Sequence, residues 1–158
     1  LSQTKCASSA CNSSVAGYIG GGHTSGNVST IEKQTFDTEI SSIVAYLQLS
    51  RESLSSFNSS TYGYFAGGYG SNLLSSIERL DFTSNSIAMM TITLNQSSKY
   101  HCSCNNSTNG YITGFYNNCY FITTIDKYLF SNNSISTLAA TLNTTRAWLA
   151  ACQIGDFY

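Results

Sequence analysis

The sequence predicts an all-β fold in which one four-stranded unit is used three times, and three observations carry that expectation. A glycine-tyrosine segment recurs as Gly17-Tyr18-Ile19-Gly20-Gly21, Gly63-Tyr64-Phe65-Ala66-Gly67-Gly68 and Gly110-Tyr111-Ile112-Thr113-Gly114, at spacings of 46 and 47 residues. An Ile-acid-base segment follows each copy: Ile31-Glu32-Lys33, Ile77-Glu78-Arg79 and Ile125-Asp126-Lys127, at spacings of 46 and 48. A fixed period in this range marks a repeat architecture. Finally, short β-branched and aromatic runs alternate with Gly, Asn and Ser clusters, and no helical period survives between them, so the runs read as strands.

Taken in order, the first unit predicts strand A at 5–11, a turn at Asn12-Ser13-Ser14, and strand B at 16–21. A Gly/Ser/Asn loop leads to strand C at 28–36, and a short polar turn to strand D at 40–47. The opening segment belongs to the repeat, because Leu1, Lys5 and Cys11 align with Leu47, Arg51 and Phe57, with Leu94, Ser98 and Cys104, and with Leu142, Arg146 and Cys152. The units are therefore expected at about 1–47, 48–94 and 95–142, as one array. Residues 143–158 supply a fourth strand A and little more. Such a count predicts an array that stops partway, and exposed sheet edges are not left bare in stable proteins. Either the sequence is part of a longer array or, as is expected here, the spare strand adds to another copy of the chain, which generates a ring or a filament according to whether the rotation closes.

Four antiparallel strands per unit of this length are the blade of a β-propeller. The strand B ending in paired glycines, the loop, the acid-bearing strand C ending in Phe36, Phe82 or Phe130, and the base opening the innermost strand (Lys5, Arg51, Arg146) together resemble the kelch-type repeat. Ile40, Ile87 and Ile135 stand where that repeat usually has Trp, and Gly114-Phe115 interrupts its glycine pair. Glycines at the pair let one blade approach the next, so Phe115 predicts a looser or differently closed contact.

Composition narrows the class. Seven basic residues against eight acidic ones in 158 leave no basic patch to neutralise phosphates, so nucleic acid is not an expected partner. No apolar run reaches the ~18–20 residues of a membrane span. The chain opens on Leu1, which predicts a processed chain or a fragment. Eight Asn-x-Ser/Thr sequons begin at Asn12, Asn27, Asn58, Asn95, Asn105, Asn106, Asn132 and Asn143. Asn12, Asn58 and Asn105 share the A–B turn, and Asn95 and Asn143 share the D–A turn, so the repeat places them at loop tips where a glycan can be attached. The alternative, that Asn and Ser are simply turn formers, remains open at this stage. With an even number of cysteines, the sequons predict an extracellular glycoprotein.

The acids Glu32, Glu78 and Asp126 occupy one repeat position. A catalytic carboxylate need not recur in every unit, whereas a structural one would, so they are expected to form ion pairs with Lys5, Arg51 and Arg146. On this reading Arg146 of the spare strand pairs with Asp126 and links consecutive units. His101-Cys102-Ser103-Cys104, with Cys119, raises a metal site. Strand alternation places Cys102 and Cys104 on one face and His101 on the other, which spoils a shared coordination sphere. Disulfides are the expected use of Cys6, Cys11, Cys102, Cys104, Cys119 and Cys152, in a pairing that the sequence does not choose. His23 and His101 adjoin no recognisable nucleophile, and Gly20-Gly21-Gly22 precedes no helix. Tyr69, Tyr116, Tyr120 and Trp148 could stack on sugars, although inter-blade packing explains them more simply.

These features predict no cofactor, no metal and no reaction. They predict a self-associating structural subunit of a fibre or surface layer. The runner-up is a propeller-type binding module for carbohydrate or protein.

Overall fold

A computed structural model describes residues 4–146. It is all-β, with twelve strands among the described residues and no helix, hence none long and apolar enough to cross a membrane. Unit one contains β1 (Ser9–Asn12), β2 (Ala16–Gly20), β3 (Thr30–Thr35) and β4 (Ser41–Tyr46). Unit two contains β5 (Ser55–Asn58), β6 (Tyr62–Ala66), β7 (Ser76–Asp81) and β8 (Ile87–Thr93). Unit three contains β9 (Cys102–Asn105), β10 (Asn109–Thr113), β11 (Thr124–Leu129) and β12 (Ser134–Thr141). Each unit is one antiparallel meander with its strands in chain order, and the three sheets do not close into a ring. The predicted strands are present. The fourth strand A falls mainly outside the described residues.

Strand A is shorter than predicted, because its first half is bent. Ala7, Ser53 and Tyr100, at one repeat position, have φ of 53°, 55° and 60°. Side chains with a Cβ rarely adopt this region. The bend has a consequence for packing: Ser53 N–H donates to Ala7 O at 2.8 Å, and Tyr100 N–H donates to Ser53 O at 3.0 Å. Backbone bonds thus run from each unit to the next, so the surrounding contacts hold the unfavourable torsion. Further along the inner strands, the Ser9 and Ser56 hydroxyls meet at 2.7 Å, and Ser103 Oγ donates to Ser56 O at 2.6 Å.

Strand C carries a bulge against strand D in every unit, between Ile31 and Glu32, Ser76 and Glu78, and Thr124 and Asp126. An extra residue at a bulge re-aims the neighbouring side chains. Here it turns the repeated acid toward the strand A entry.

Two apolar clusters join the units. Tyr18, Ile31, Ala45 and Leu47 of unit one pack with Leu54, Phe65 and Leu80 of unit two. Phe57, Tyr64, Ile77 and Leu94 of unit two pack with Ile112, Phe115 and Tyr128 of unit three. Each sheet therefore has a forward face, toward the next unit, and a backward face, toward the one before.

The glycine pairs do what close packing requires. A Cβ on Gly20 would lie 2.5 Å from the Phe65 ring of the next unit, and one on Gly67 would strike the imidazole of His101. Phe115 corrects the expectation of a looser contact. Ile122 N–H donates to Phe115 O at 2.9 Å, as Leu74 N–H does to Gly68 O, so the loop closes in the same way. The added ring is buried in the second cluster, edge-on to His101 with centroids 5.6 Å apart.

Candidate interaction site

Unit three presents a forward face that no described residue covers. Tyr111 and Ile125 on β10 and β11 are partly exposed, whereas their counterparts Tyr18, Tyr64, Ile31 and Ile77 are fully buried. Cys104 is exposed, whereas Cys11 and Phe57 at the same repeat position are buried. The face forms an apolar groove lined by Cys102, Cys104, Tyr111, Thr113, Ile125 and Leu138.

The buried junctions show what the equivalent faces of units one and two pack against. Phe82, at the end of strand C of unit two, stacks on Tyr18 of unit one with centroids 4.8 Å apart and planes at 20°. Phe130, at the end of strand C of unit three, stacks on Tyr64 of unit two at 5.5 Å and 17°. Below each ring pair, the fourth residue after the bend in strand A enters a slot left by a glycine on the next unit. A Cβ on Gly63 would lie 2.6 Å from Cys11 Sγ, and one on Gly110 would strike the Phe57 ring. The repeat places Phe36 where Phe82 and Phe130 stand, yet its ring is 54 % exposed. Around Gly17 the only atoms of the described residues near a built Cβ are those of Phe36 itself, at 3.6 Å. The backward face of unit one is thus a donor without an acceptor among the described residues, and the forward face of unit three is the reverse.

The repeated acids are buried and bonded in all three units, by two different means. Arg51 Nη2 meets Glu78 Oε1 at 2.6 Å with both side chains at 0 % exposure, and its Nη1 donates to the carbonyls of Gly67 and Ser76. Glu78 also accepts from the backbone N–H groups of Gln48 (2.6 Å) and Leu49 (3.1 Å), on the linker between units. Burial lowers the Arg51 pKa, and the Glu78 charge opposes that shift. Lys5 Nζ and Glu32 Oε1 repeat the pair at 3.2 Å, also buried.

The predicted Arg146–Asp126 pair is not formed. The two formed pairs lie within one unit, and the strand A position of unit three holds Ser98, which carries no charge. Asp126 instead accepts from Asn95 Nδ2 (3.1 Å) and Thr137 Oγ1 (2.7 Å), while the exposed Arg146 donates to Thr144 Oγ1 at 2.6 Å.

The cysteines also depart from expectation. Cys6, Cys11, Cys102, Cys104 and Cys119 are all free thiols, and Cys152 lies outside the described residues. Cys11 and Cys104 are repeat equivalents one unit removed from adjacency, with Phe57 on the strand between them. Burial pushes the Cys11 thiol pKa up to about 12. His101 faces away from Cys102 and Cys104, as alternation predicts. It is buried at the junction of units two and three, with Nε2 3.2 Å from Ser98 O. A carbonyl only accepts, so Nε2 carries the proton.

The sequons sort by what their amides do. Asn12, Asn106, Asn132 and Asn143 are exposed at turns. Asn58 and Asn105 are partly exposed and lie together, with Asn58 N–H donating to Asn105 Oδ1 at 3.1 Å. Asn27 Nδ2 is engaged with Tyr69 O (2.9 Å) and Gly70 O (3.1 Å) of the next unit. Asn95 Nδ2 is engaged with Asp126 and Thr137.

Of the candidate stacking residues, Tyr69 and Tyr116 are brought together on one rim. Lys99 Nζ lies 4.6 Å from the Tyr69 centroid and 5.0 Å from that of Tyr100, which neighbours Tyr116 at 6.1 Å. Tyr120 is exposed nearby in sequence, and Trp148 lies outside the described residues. Opposite Tyr69 in the preceding junction, His23 and Asn27 of unit one face Glu52 of unit two, with His23 Nδ1 3.2 Å from Glu52 Oε2.

Comparison with models of known protein families and with curated proteins finds no match.

Proposed function

We propose that the protein is a non-enzymatic structural glycoprotein of the extracellular space, made of kelch-like propeller blades and acting as a self-associating subunit of a fibre or surface assembly. One observation carries the reading: the forward face of unit three has the residues that elsewhere form a buried inter-unit core, and no described residue covers it. Each of the three sheets already has four strands. The missing contact is accordingly a sheet face rather than a strand, which favours blade complementation over insertion of a spare strand. The structural role is supported by the fate of the strongest charges, since Glu32, Glu78 and Asp126 are all buried in bracing contacts. The extracellular assignment rests on the turn-borne sequons, with covalent glycans as the expected decoration.

Sedimentation velocity over a range of concentrations, with negative-stain imaging of the same material, tests the reading. Association that grows with concentration is expected. A monomer throughout would overturn it. The Tyr69, Lys99, Tyr100 and Tyr116 rim supports the second reading, a binding module for carbohydrate, and discrete particles that retain oligosaccharide would favour it.

A further inference from the structure

The geometry points to a second copy of this chain as the occupant of the forward face of unit three, seated by the backward face of its unit one, with Phe36 of that copy stacked on Tyr111. The inference rests on the self-association reading and specifies its junction.

The argument is continuity with two interfaces already built. At the junction of units one and two, the Phe82 ring covers Tyr18 and Cys11 fills the slot beside Gly63. At the junction of units two and three, the Phe130 ring covers Tyr64 and Phe57 fills the slot beside Gly110. A third junction of the same kind needs a tyrosine and a strand A side chain on one side, and a phenylalanine and an open glycine on the other. Tyr111 and Cys104 stand exposed or partly exposed on unit three, and Phe36 and Gly17 stand ready on unit one. Phe36 already lies over its own Gly17, at 3.6 Å from the built Cβ, as Phe82 lies over Gly63 at 3.0 Å. The ring is therefore held in the pose that the internal junctions use, and little ordering remains for binding to impose.

The two faces differ, so the contact is heterologous: each copy offers one face of each kind, and growth is head to tail. A self-complementary patch would behave otherwise, and mixing variants separates the cases. Phe36→Ala removes the ring from the backward face and Tyr111→Ala removes it from the forward face. Neither side chain belongs to the two inter-unit clusters of the described residues. Each variant alone is expected to associate at least tenfold more weakly than the wild type in sedimentation velocity. An equimolar mixture is expected to form pairs, through Tyr111 of the Phe36→Ala chain and Phe36 of the Tyr111→Ala chain. If the wild type associates but either variant matches it, or if the mixture forms no pairs, the junction lies elsewhere while self-association stands. A monomeric wild type removes both.

Discussion

The Arg51 guanidinium and the Glu78 carboxylate meet at 2.6 Å with no solvent exposure on either side chain, and between them they hold five neighbouring backbone groups. Taking one charge from such a pair leaves the other buried and uncompensated, which costs about 3–5 kcal/mol. Glu78→Gln is therefore expected to lower the melting temperature markedly. Asp126→Asn, at the same repeat position but without a charged partner, should lower it much less. Thermal denaturation of the two variants side by side checks the ranking, and equal losses would show that the charge pair is not what holds unit two.

Gly110 allows the Phe57 ring to lie against the backbone of the next unit. A methyl group at that point overpacks the junction, at a cost of about 1–3 kcal/mol. Gly110→Ala should destabilise by that amount, whereas Gly26→Ala, where no described residue lies within 4 Å of a built Cβ, should be close to neutral. Chemical denaturation midpoints distinguish the two.

His101 makes stability depend on pH. Burial, assisted by the Arg51 charge, lowers its pKa from 6.5 to about 4, against the opposing hydrogen bond to Ser98 O. The folded state therefore resists the proton that the unfolded state accepts. The contribution is present in full above the unfolded value and is lost as pH falls from about 6.5 toward about 4, by about 3 kcal/mol in all. Melting temperatures measured across that window should fall with pH, and the fall should be shallower in His101→Gln. An unchanged slope in the variant would mean that other groups account for it.

Glu39 sits in the C–D turn with φ of 57°, where Asn85 and Asn133 occupy the equivalent positions at 56° and 52°. Asn tolerates the left-handed region and Glu does not. Glu39→Asn should stabilise by up to about 1 kcal/mol, a part of the roughly 1–2 kcal/mol that the left-handed conformation costs an ordinary side chain and that Asn offsets by local hydrogen bonding. Denaturant titration of this single exposed substitution is a direct test.

Attachment of a glycan replaces one amide hydrogen and adds bulk at Nδ2, which conflicts with the contacts of Asn27 and Asn95. In secreted material, peptide mapping by mass spectrometry should find these two asparagines unmodified and sugar on the exposed set, Asn12, Asn106, Asn132 and Asn143. Full occupancy at Asn27 would contradict its role between the units.

The repeat made the strand order legible because its two segments fall on strands B and C, whose alternating faces are fixed by burial. The ends of strand A were not legible: Ala7, Ser53 and Tyr100 share a left-handed torsion without sharing a residue type, so no glycine announces the bend. Of the acid–base pairs only the one expected for Asp126 fails, because Ser98 stands at the strand A position from which Lys5 and Arg51 reach Glu32 and Glu78, and the next base at that repeat position is Arg146, one unit further on. The cysteines misled for a related reason. Equivalence in the repeat brings side chains to the same height on different sheets, and the sheet between Cys11 and Cys104 keeps them apart. Phe36, Phe82 and Phe130 are visible as a recurring position, yet the stacking of Phe82 and Phe130 on a tyrosine about 65 residues earlier depends on how the sheets are set against one another. That setting is absent from any local pattern, and with it the candidate site.

Because every sheet is finished by four consecutive strands and meets its neighbour through the same ring-over-ring contact, the chain can change length in whole modules. A duplication placed near residue 47 or 94 would hand each newcomer a ready seat and a ready tenant. Insertions of fractional size would instead strand a tyrosine or a phenylalanine in water, and drift in such a lineage should proceed by counting rather than by reshaping.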